Sequence, residues 1–348
     1  MKKLKTADKA PSAPPSVLAR DLSVYLASDF FVVDGVNVGD NLADCNELCL
    51  DDTYKISQEA LRQTLRITDS ANDPMIITQE SEVGNEGYYL CLDGLITLMS
   101  QSGITTEALI FAEVNPADHT LATVYLMPLA PLSSECEYCL MDIDRDGADT
   151  RLAEATCASF VRGTQITLAD GRQIAVEDLS IGDRVLTRDN GPQPIRWIGS
   201  RTTRAAGDFA PITIKPGVLS NANELSLAAN HRLLVYQHQD ILNVGRSEVL
   251  VRAGDLVNND TIVVQEGGYV DYFRILFDDH QIIYAEGMAA ESLSATRRTA
   301  PALPNDIADA FVYSFEEQTE HRHNQLEIKR AELPDEGALT RLRSATER

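Results

Sequence analysis

The sequence predicts an all-β protein with two domains and a short helical tail. Short runs of β-branched, aromatic and aliphatic residues recur between positions 22 and 145, and turn-forming Gly, Asn, Asp and Pro residues separate them. This spacing favours an antiparallel sandwich or barrel over alternating strands and helices. The length of 348 residues gives room for a second domain, and 44% hydrophobic with 24% charged residues is typical of a globular protein.

The N-terminal part is predicted to contain a flexible segment followed by the first β domain. Residues 1–19 are rich in Lys, Ala, Ser and Pro, which is typical of a flexible lead-in. Residues 20–150 then form an N-terminal β-sandwich-like domain. One helical interruption is expected at 56–66, where a Ser that can cap a helix is followed by Glu. Residues 152–155 favour a short helix that leads to the next domain.

Two pairs of cysteines and one acidic loop were considered as metal sites. The pairs are Cys45 with Cys49 and Cys136 with Cys139. Each pair is compatible with a zinc or redox site or with ordinary half-buried thiols, and the sequence favours the thiols because acidic neighbours oppose the thiolate form. Residues 142–149 resemble the front half of a calcium loop, but Ala153 stands where the bidentate carboxylate is required. No metal and no cofactor is therefore expected.

Charge and hydropathy restrict the partners of the protein. The formal net charge of −23 argues against nucleic acids and anionic membrane surfaces, because both would repel the chain. No run of 18 apolar residues predicts a membrane span. The N-terminus has basic residues but no apolar stretch, so a Sec signal peptide is not predicted. The localisation stays open between the cytoplasm and export without a cleavable leader.

Three blocks of sequence resemble one family. In residues 157–186, Ser159 is followed by Gly163-Thr164, and the motif V-E-D-L-S-I-G-D-R-V occupies 176–185. Residues 187–199 read T-R-D-N-G-P-Q-P-I-R-W-I-G, residues 225–235 contain His231, and residues 271–287 end in Ala-Glu-Gly. In this order they resemble Hint domains, the self-processing modules of inteins and hedgehog proteins, and residues 187–199 resemble the bacterial branch. The resemblance covers 157–295 and implies a Hint-type β fold there.

The resemblance also implies a reaction and the residues that perform it. Hint domains attack the peptide bond that precedes their first residue, so Ser159 Oγ is expected to attack the carbonyl of Ala158 and form an ester. The resemblance assigns His231 to protonation of the leaving nitrogen. Water, or another nucleophile activated by Asp271 or His280, then resolves the ester. The substrate is thus the protein's own N-terminal segment, and the products are residues 1–158 and 159–348.

Departures from the family pattern leave alternatives open. Cys157 is a rival nucleophile, although the spacing to Gly163 favours Ser159. Ala228 and Arg274 occupy positions where relatives carry a Thr or Ser and a polar or His side chain. Residues 304–348 predict one or two amphipathic helices. Their His323-Asn324 is followed by Gln, so it was interpreted as a coincidental likeness to intein C-termini and full splicing is not expected. The alternative function is a catalytically silent Hint-fold binding or structural module.

Overall fold

The structure is a computed structural model that describes residues 18–69, 74–237, 245–296, 298–311, 323 and 326–328. Apart from two short α-helices and single 3-10 turns, the described elements are strands, so the predicted all-β class is confirmed. Within this part of the chain, no helix has the length and apolarity needed to cross a membrane. Most of the predicted lead-in at 1–19 and of the predicted tail at 304–348 lies outside the described residues.

Nine strands form one antiparallel N-terminal sheet. They are β1 (Leu18–Leu26), β2 (Phe30–Asp34), β3 (Thr53–Ile56), β4 (Gln63–Asp69), β5 (Met75–Ile77), β6 (Tyr89–Ser100), β7 (Thr105–Val114), β8 (Leu121–Pro128) and β9 (Glu137–Asp144). The order is β2-β3-β9-β6-β5-β4-β1-β8-β7, and β6 also pairs with β7, so six of the strands close into a ring.

Both faces of the N-terminal sheet bury side chains. Along β7, Leu109 and Phe111 belong to one apolar cluster, while Ala108 and Ile110 belong to a second cluster on the opposite face. Successive strand residues point to opposite faces, so the central part of β7, residues 108–112, is continuously apolar because it is covered on both sides.

The helix expected at 56–66 is wrong. β3 ends at Ile56, and β4 begins at Gln63 and pairs with β1 from that residue onward. Leu65 and Ile67 are the buried members of an alternating pattern with a period of two, and burial of that face outweighs the local capping signal.

The connection between the two parts of the chain is α1 (Ala148–Thr156). This confirms the short helix expected at 152–155. α1 buries Ala148 and Ala155 against the N-terminal core. Among the described strands no pairing joins β1–β9 to the strands that follow α1. The predicted limits of the domains, 20–150 and 157–295, stay predictions.

The strands after α1 form two further antiparallel sheets. They are β10 (Phe160–Val161), β11 (Gln165–Thr167), β12 (Gln173–Ala175), β13 (Arg184–Thr187), β14 (Gly191–Pro194), β15 (Trp197–Arg204), β16 (Ile212–Ile214), β17 (Leu225–Leu227), β18 (Arg232–Tyr236), β19 (Glu248–Arg252), β20 (Ile262–Val264), β21 (Tyr269–Leu276), β22 (Ile282–Ala285) and β23 (Met288–Glu291).

One apolar core holds these two sheets together. The first sheet has the order β15-β21-β10-β17-β16-β20, and the second is built on β12-β11-β22-β23-β18-β19 with β13 and β14 beside β22. The core takes Ile212, Leu225 and Ile275 from the first sheet and Leu233 and Ile283 from the second.

The C-terminal part adds α2 (Asn305–Phe311) and a short contact segment. Phe311 packs in an apolar cluster with Cys157, Leu276 and Leu293. Further on, Glu327 forms a parallel bridge with Leu250 of β19. The chain beyond α2 therefore returns to the edge of the second sheet.

Candidate active site

Ser159 lies at the point where the chain enters the first of the two C-terminal sheets. α1 ends at Thr156, and β10 begins at Phe160. Phe160 pairs with Leu227 of β17 on one side and with Phe273 of β21 on the other. Because β10 lies between β17 and β21, Ser159, which directly precedes it, is only 2% exposed. The predicted nucleophile is therefore a buried side chain on a fixed backbone.

The hydroxyl of Ser159 contacts a guanidinium. Because β10 and β21 are antiparallel and Phe160 pairs with Phe273, the next pair in this register is Ser159 and Arg274. Arg274 Nε donates a hydrogen bond of 3.2 Å to Ser159 Oγ. An arginine stays charged at any physiological pH and stabilises negative charge on an adjacent oxygen. Arg274 is thus placed to favour ionisation of this hydroxyl.

His231 contacts the same residue from the other side. Its ring is fully buried, and Nδ1 lies 3.1 Å from the carbonyl oxygen of Ser159. Nε2 lies 2.9 Å from the carbonyl oxygen of Glu291. The backbone N–H of Ala228 donates to the Ser159 carbonyl as well, at 3.0 Å. The ring therefore reaches the carbonyl of Ser159, whereas the predicted reaction requires it to reach the amide nitrogen of that residue.

The surroundings of His231 make opposite demands on its charge. Each ring nitrogen lies against a carbonyl oxygen, and a neutral imidazole has one N–H for these two acceptors, whereas the imidazolium satisfies both. Burial nevertheless lowers the pKa of His231 below its ordinary value, although the nearby Glu291 and the two carbonyls oppose that shift. The two carbonyls favour the protonated ring and burial favours the neutral ring. Because these influences oppose each other, His231 is suited to take up and release a proton.

Glu291, at the end of β23, anchors the backbone that His231 contacts. Arg232 binds the carboxylate through Nε at 2.8 Å and Nη2 at 2.6 Å, and its backbone N–H donates to Oε1 at 2.9 Å. His280 Nε2 lies 3.3 Å from Glu291 Oε2. Burial acts to raise the pKa of Glu291, but Arg232 and His280 outweigh burial and hold that pKa well below its ordinary value.

His280 belongs to a line of buried groups that leads away from Ser159. Its Nδ1 lies 3.1 Å from Nδ1 of His323, whose Nε2 lies 3.0 Å from Asp189 Oδ2. Burial lowers the pKa of His323, with Asp189 opposing the shift. His280 therefore connects Glu291 to the C-terminal part of the chain, and its ring has no contact with Ser159 among those described.

Two cavities flank the junction between α1 and β10. One, of about 230 Å³, is lined by Thr156, Cys157 and Ala158 together with residues of β1 and β23. The other is a small pocket of about 10 Å³ next to Ser159 and Arg274. In the part of the chain that the structure describes, no group of His, Cys, Asp or Glu has a geometry suited to a metal ion.

The comparison with protein families gives the class of this part of the chain. Residues 158–297 match the family model described as Hint domain. Residues 158–297 form a Hint domain. The three sequence blocks predict this domain class. A comparison with curated proteins finds no match.

Several solved structures resemble the Hint domain at low sequence identity. The crystal structure of the Ssp DnaB mini-intein variant M86 is 12% identical and covers 39% of this chain and 95% of its own, with a TM-score of 0.27. The MchDnaB-1 intein is 12% identical over 38% of this chain and 98% of its own, with a TM-score of 0.26. The gp41-1 intein is 10% identical over 38% and 97%, with a TM-score of 0.25.

The structure places the remaining predicted residues, Cys157 and Asp271, in different surroundings from Ser159. Cys157 is 2% exposed, and burial in an apolar cluster raises the pKa of its thiol, which disfavours the reactive thiolate. Asp271 is an odd number of positions from Arg274 on β21, so the two side chains point to opposite faces. The Asp271 carboxylate accepts hydrogen bonds from Arg162 Nε, at 2.8 Å, and from Thr202.

Sequence reasoning missed three parts of this site in the Hint domain. Arg274 was treated as a departure from the family and is the residue that contacts Ser159 Oγ. Arg232 directly follows His231, and Glu291 lies four residues beyond the third block. No local pattern joins these two residues, which are 59 positions apart. Asp208 lines both cavities beside the junction, and no motif surrounds it in the sequence.

Proposed function

We propose that the protein cleaves its own chain at the Ala158–Ser159 bond through an N–O acyl shift. The observation that carries the proposal is the contact between Ser159 Oγ and Arg274 Nε, 3.2 Å, at the start of the Hint domain. The cleavage divides the chain into residues 1–158 and 159–348. The N-terminal part is then freed or passed to an acceptor.

The first step converts an amide into an ester within one residue. Ser159 Oγ gives up its proton and adds to the carbonyl carbon of Ala158, the bond from that carbon to the Ser159 nitrogen breaks, and the nitrogen receives a proton. The proton that the hydroxyl loses equals the one that the nitrogen gains, so the step conserves protons. Arg274 stabilises the negative charge on Oγ as the hydroxyl ionises.

His231 is the proton donor in this proposal. Its ring already contacts Ser159, and the fully enclosed position excludes water from the transfer. The imidazolium has to turn from the carbonyl of Ser159 toward the nitrogen of the same residue. Since burial lowers the pKa of His231, we expect the rate of the acyl shift to rise as the pH falls toward that pKa.

The experiment is intact mass spectrometry of freshly purified protein, incubated with and without hydroxylamine, which cleaves esters. The variants are Ser159→Ala and Cys157→Ala, and Ser100→Ala is the matched control because Ser100 is also a buried serine. We expect fragments 1–158 and 159–348 from the wild type, Cys157→Ala and Ser100→Ala, and none from Ser159→Ala. Fragments that persist in Ser159→Ala and vanish in Cys157→Ala would assign the reaction to the thiol and overturn the proposal.

A catalytically silent Hint module is the second candidate function. It is favoured by Ala228, which offers a backbone N–H but no side-chain hydroxyl beside the junction, and by the position of His231 on the carbonyl of Ser159. An uncleaved chain in every sample, hydroxylamine included, would support this candidate over self-cleavage.

A further inference from the structure

The larger cavity at the junction is a polar cleft between the N-terminal sheet and the Hint domain. One wall is formed by residues 20–23 of β1, and the other by residues 291–294 after β23, with Thr156, Cys157 and Ala158 between them. A second cavity of about 340 Å³ adjoins it and shares Asn230, Arg252 and Glu327 in its wall. The two cavities share part of their walls and together form one cleft, and Ala158, whose carbonyl is proposed for cleavage, lies in the wall of the first.

The walls of the cleft carry charges of both signs beside the apolar side chains of Leu22, Met127 and Leu293. Arg20, Arg252 and Arg298 lie beside Asp208, Glu291 and Glu327. A sterol or a long acyl chain in this space would displace water from these charged groups and offer them no hydrogen bond, which disfavours an apolar acceptor. A volume of about 230 Å³ far exceeds the roughly 10–15 Å³ that one water needs, so a small polar molecule fits.

The two sides of the proposed scissile bond face different cavities. Ala158 lines the polar cleft, while Ser159 lines the small pocket together with Ala155, Ala228 and Arg274. An acceptor that enters through the cleft therefore meets the acyl carbon of the ester, and the leaving oxygen of Ser159 lies on the far side. Asp208 lines both cavities.

Asp208 is a half-buried carboxylic acid in a fixed position. Its Oδ2 is enclosed and has no hydrogen-bond partner among the described residues. It lies in the turn Gly207–Phe209, whose Phe209 packs in the N-terminal core. Gly207 has a φ of +56°, and a Cβ there would come within 2.6 Å of the backbone of Leu129 and Ala130, so the turn lies tightly against the N-terminal sheet. Burial raises the pKa of Asp208, which makes it a stronger base than an exposed carboxylate.

We propose that the cleft is the acceptor site of the reaction, that the acceptor is a small polar primary amine, and that Asp208 is its proton acceptor. The inference rests on the proposed acyl shift to Ser159. An amine is favoured over an anionic or apolar acceptor because Asp208 can receive an N–H, and because the net charge of −23 attracts cations.

The transfer conserves atoms and charge. Asp208 takes a proton from the ammonium form of the amine, the free nitrogen attacks the carbonyl carbon of Ala158, and the bond from that carbon to Ser159 Oγ breaks. The surplus proton of the attacking nitrogen passes to Ser159 Oγ, and Asp208 can relay it because it lines both cavities. The products are residues 1–158 as an amide at Ala158 and residues 159–348 with a free Ser159.

The test measures the mass of fragment 1–158 formed by the full chain in the presence of ethanolamine or methylamine. We expect the amide product to grow with amine concentration, and a long-chain alkylamine of equal basicity to give none. In Asp208→Asn we expect formation of the amide to fall by a factor of about 10² or more. Asp260→Asn, an exposed aspartate that lines none of the cavities, is the control and should behave as the wild type.

Hydroxylamine at high concentration separates failure of this inference from failure of the acyl shift. It reacts with the ester without help from a base, so Asp208→Asn should still be cleaved by it, which also shows that the variant folds. No cleavage by hydroxylamine in the wild type would overturn the acyl shift itself. Cleavage by hydroxylamine, together with an amide yield unchanged in Asp208→Asn or with only the free acid at every amine concentration, would overturn the acceptor site alone.

Discussion

The buried ion pair of Arg232 and Glu291 is expected to be essential for the stability of the Hint domain. The two side chains are 11% and 6% exposed and are joined through Nε and Nη2 at 2.8 and 2.6 Å. Arg232→Met would leave the Glu291 carboxylate buried, with one backbone N–H and His280 as its remaining contacts. Removing one partner of a buried pair typically costs about 3–5 kcal/mol. We expect Arg232→Met to lower the free energy of unfolding by this amount.

The pH dependence gives the prediction a second signature. In the wild type the pKa of Glu291 lies below its ordinary value of 4.5, so its contribution is present above that value and is lost as the pH falls. Without Arg232, burial is left to raise the pKa of Glu291, and the folded variant then binds a proton more readily than the unfolded chain. The difference in stability between the variant and the wild type should therefore shrink as the pH is lowered.

Urea unfolding followed by the fluorescence of Trp197 measures this loss, because Trp197 is the single tryptophan and lies in β15 of the Hint domain. At a slope of about 2 kcal/mol/M, the midpoint should fall by roughly 2 M. The control is Arg196→Met, which breaks an exposed pair with Asp278 and should cost no more than about 1 kcal/mol. A loss in Arg232→Met as small as that of the control would refute the reasoning.

Three further predictions concern the interface, the N-terminal core and acid stability. Phe209→Ala should cost about 3–5 kcal/mol and allow the two cleavage products to separate in size-exclusion chromatography, where the wild-type products co-elute. Tyr125→Phe removes a 2.6 Å hydrogen bond to the buried Glu113 and should lower the free energy of unfolding by about 1–3 kcal/mol in urea titrations. Burial lowers the pKa of His231 and of His323 below 6.5, so the folded state binds fewer protons than the unfolded state. The urea midpoint should therefore decline as the pH falls below 6.5. A midpoint that does not change with pH would contradict this prediction.

The fold could be predicted to the extent that local patterns determine it. Short apolar runs separated by turn residues predicted a β domain in the N-terminal part, and the three sequence blocks predicted the Hint domain. The helix expected at 56–66 failed because a local capping signal was given more importance than the period of two at Leu65 and Ile67. The pairing that closes the ring, between β6 and β7, could not be distinguished by pattern from an open sandwich.

The site could be predicted only where a motif marks a residue. Ser159 and His231 were found from their blocks, and the structure brings the His231 ring to the carbonyl of Ser159. The contact of Arg274 with Ser159 spans 115 positions and follows from strand register, which no local pattern contains. Asp208 lies at the contact between the two domains. The sequence of either domain alone does not show which residues lie at that contact.

Cleavage at Ala158–Ser159 need not separate the two products, because the interface on both sides of that bond is extensive. Phe209 of the Hint domain packs in the core of the N-terminal sheet. Arg201 forms an ion pair with Glu154, and Asn230 Nδ2 donates to the carbonyl of Ala155 at 2.9 Å, so α1 is bound by residues that follow the cleavage site. The acyl shift would therefore yield a nicked complex in which the ester carbonyl stays beside the cleft. Such a complex holds the acyl group in place while an acceptor enters, which is the order of events that transfer requires.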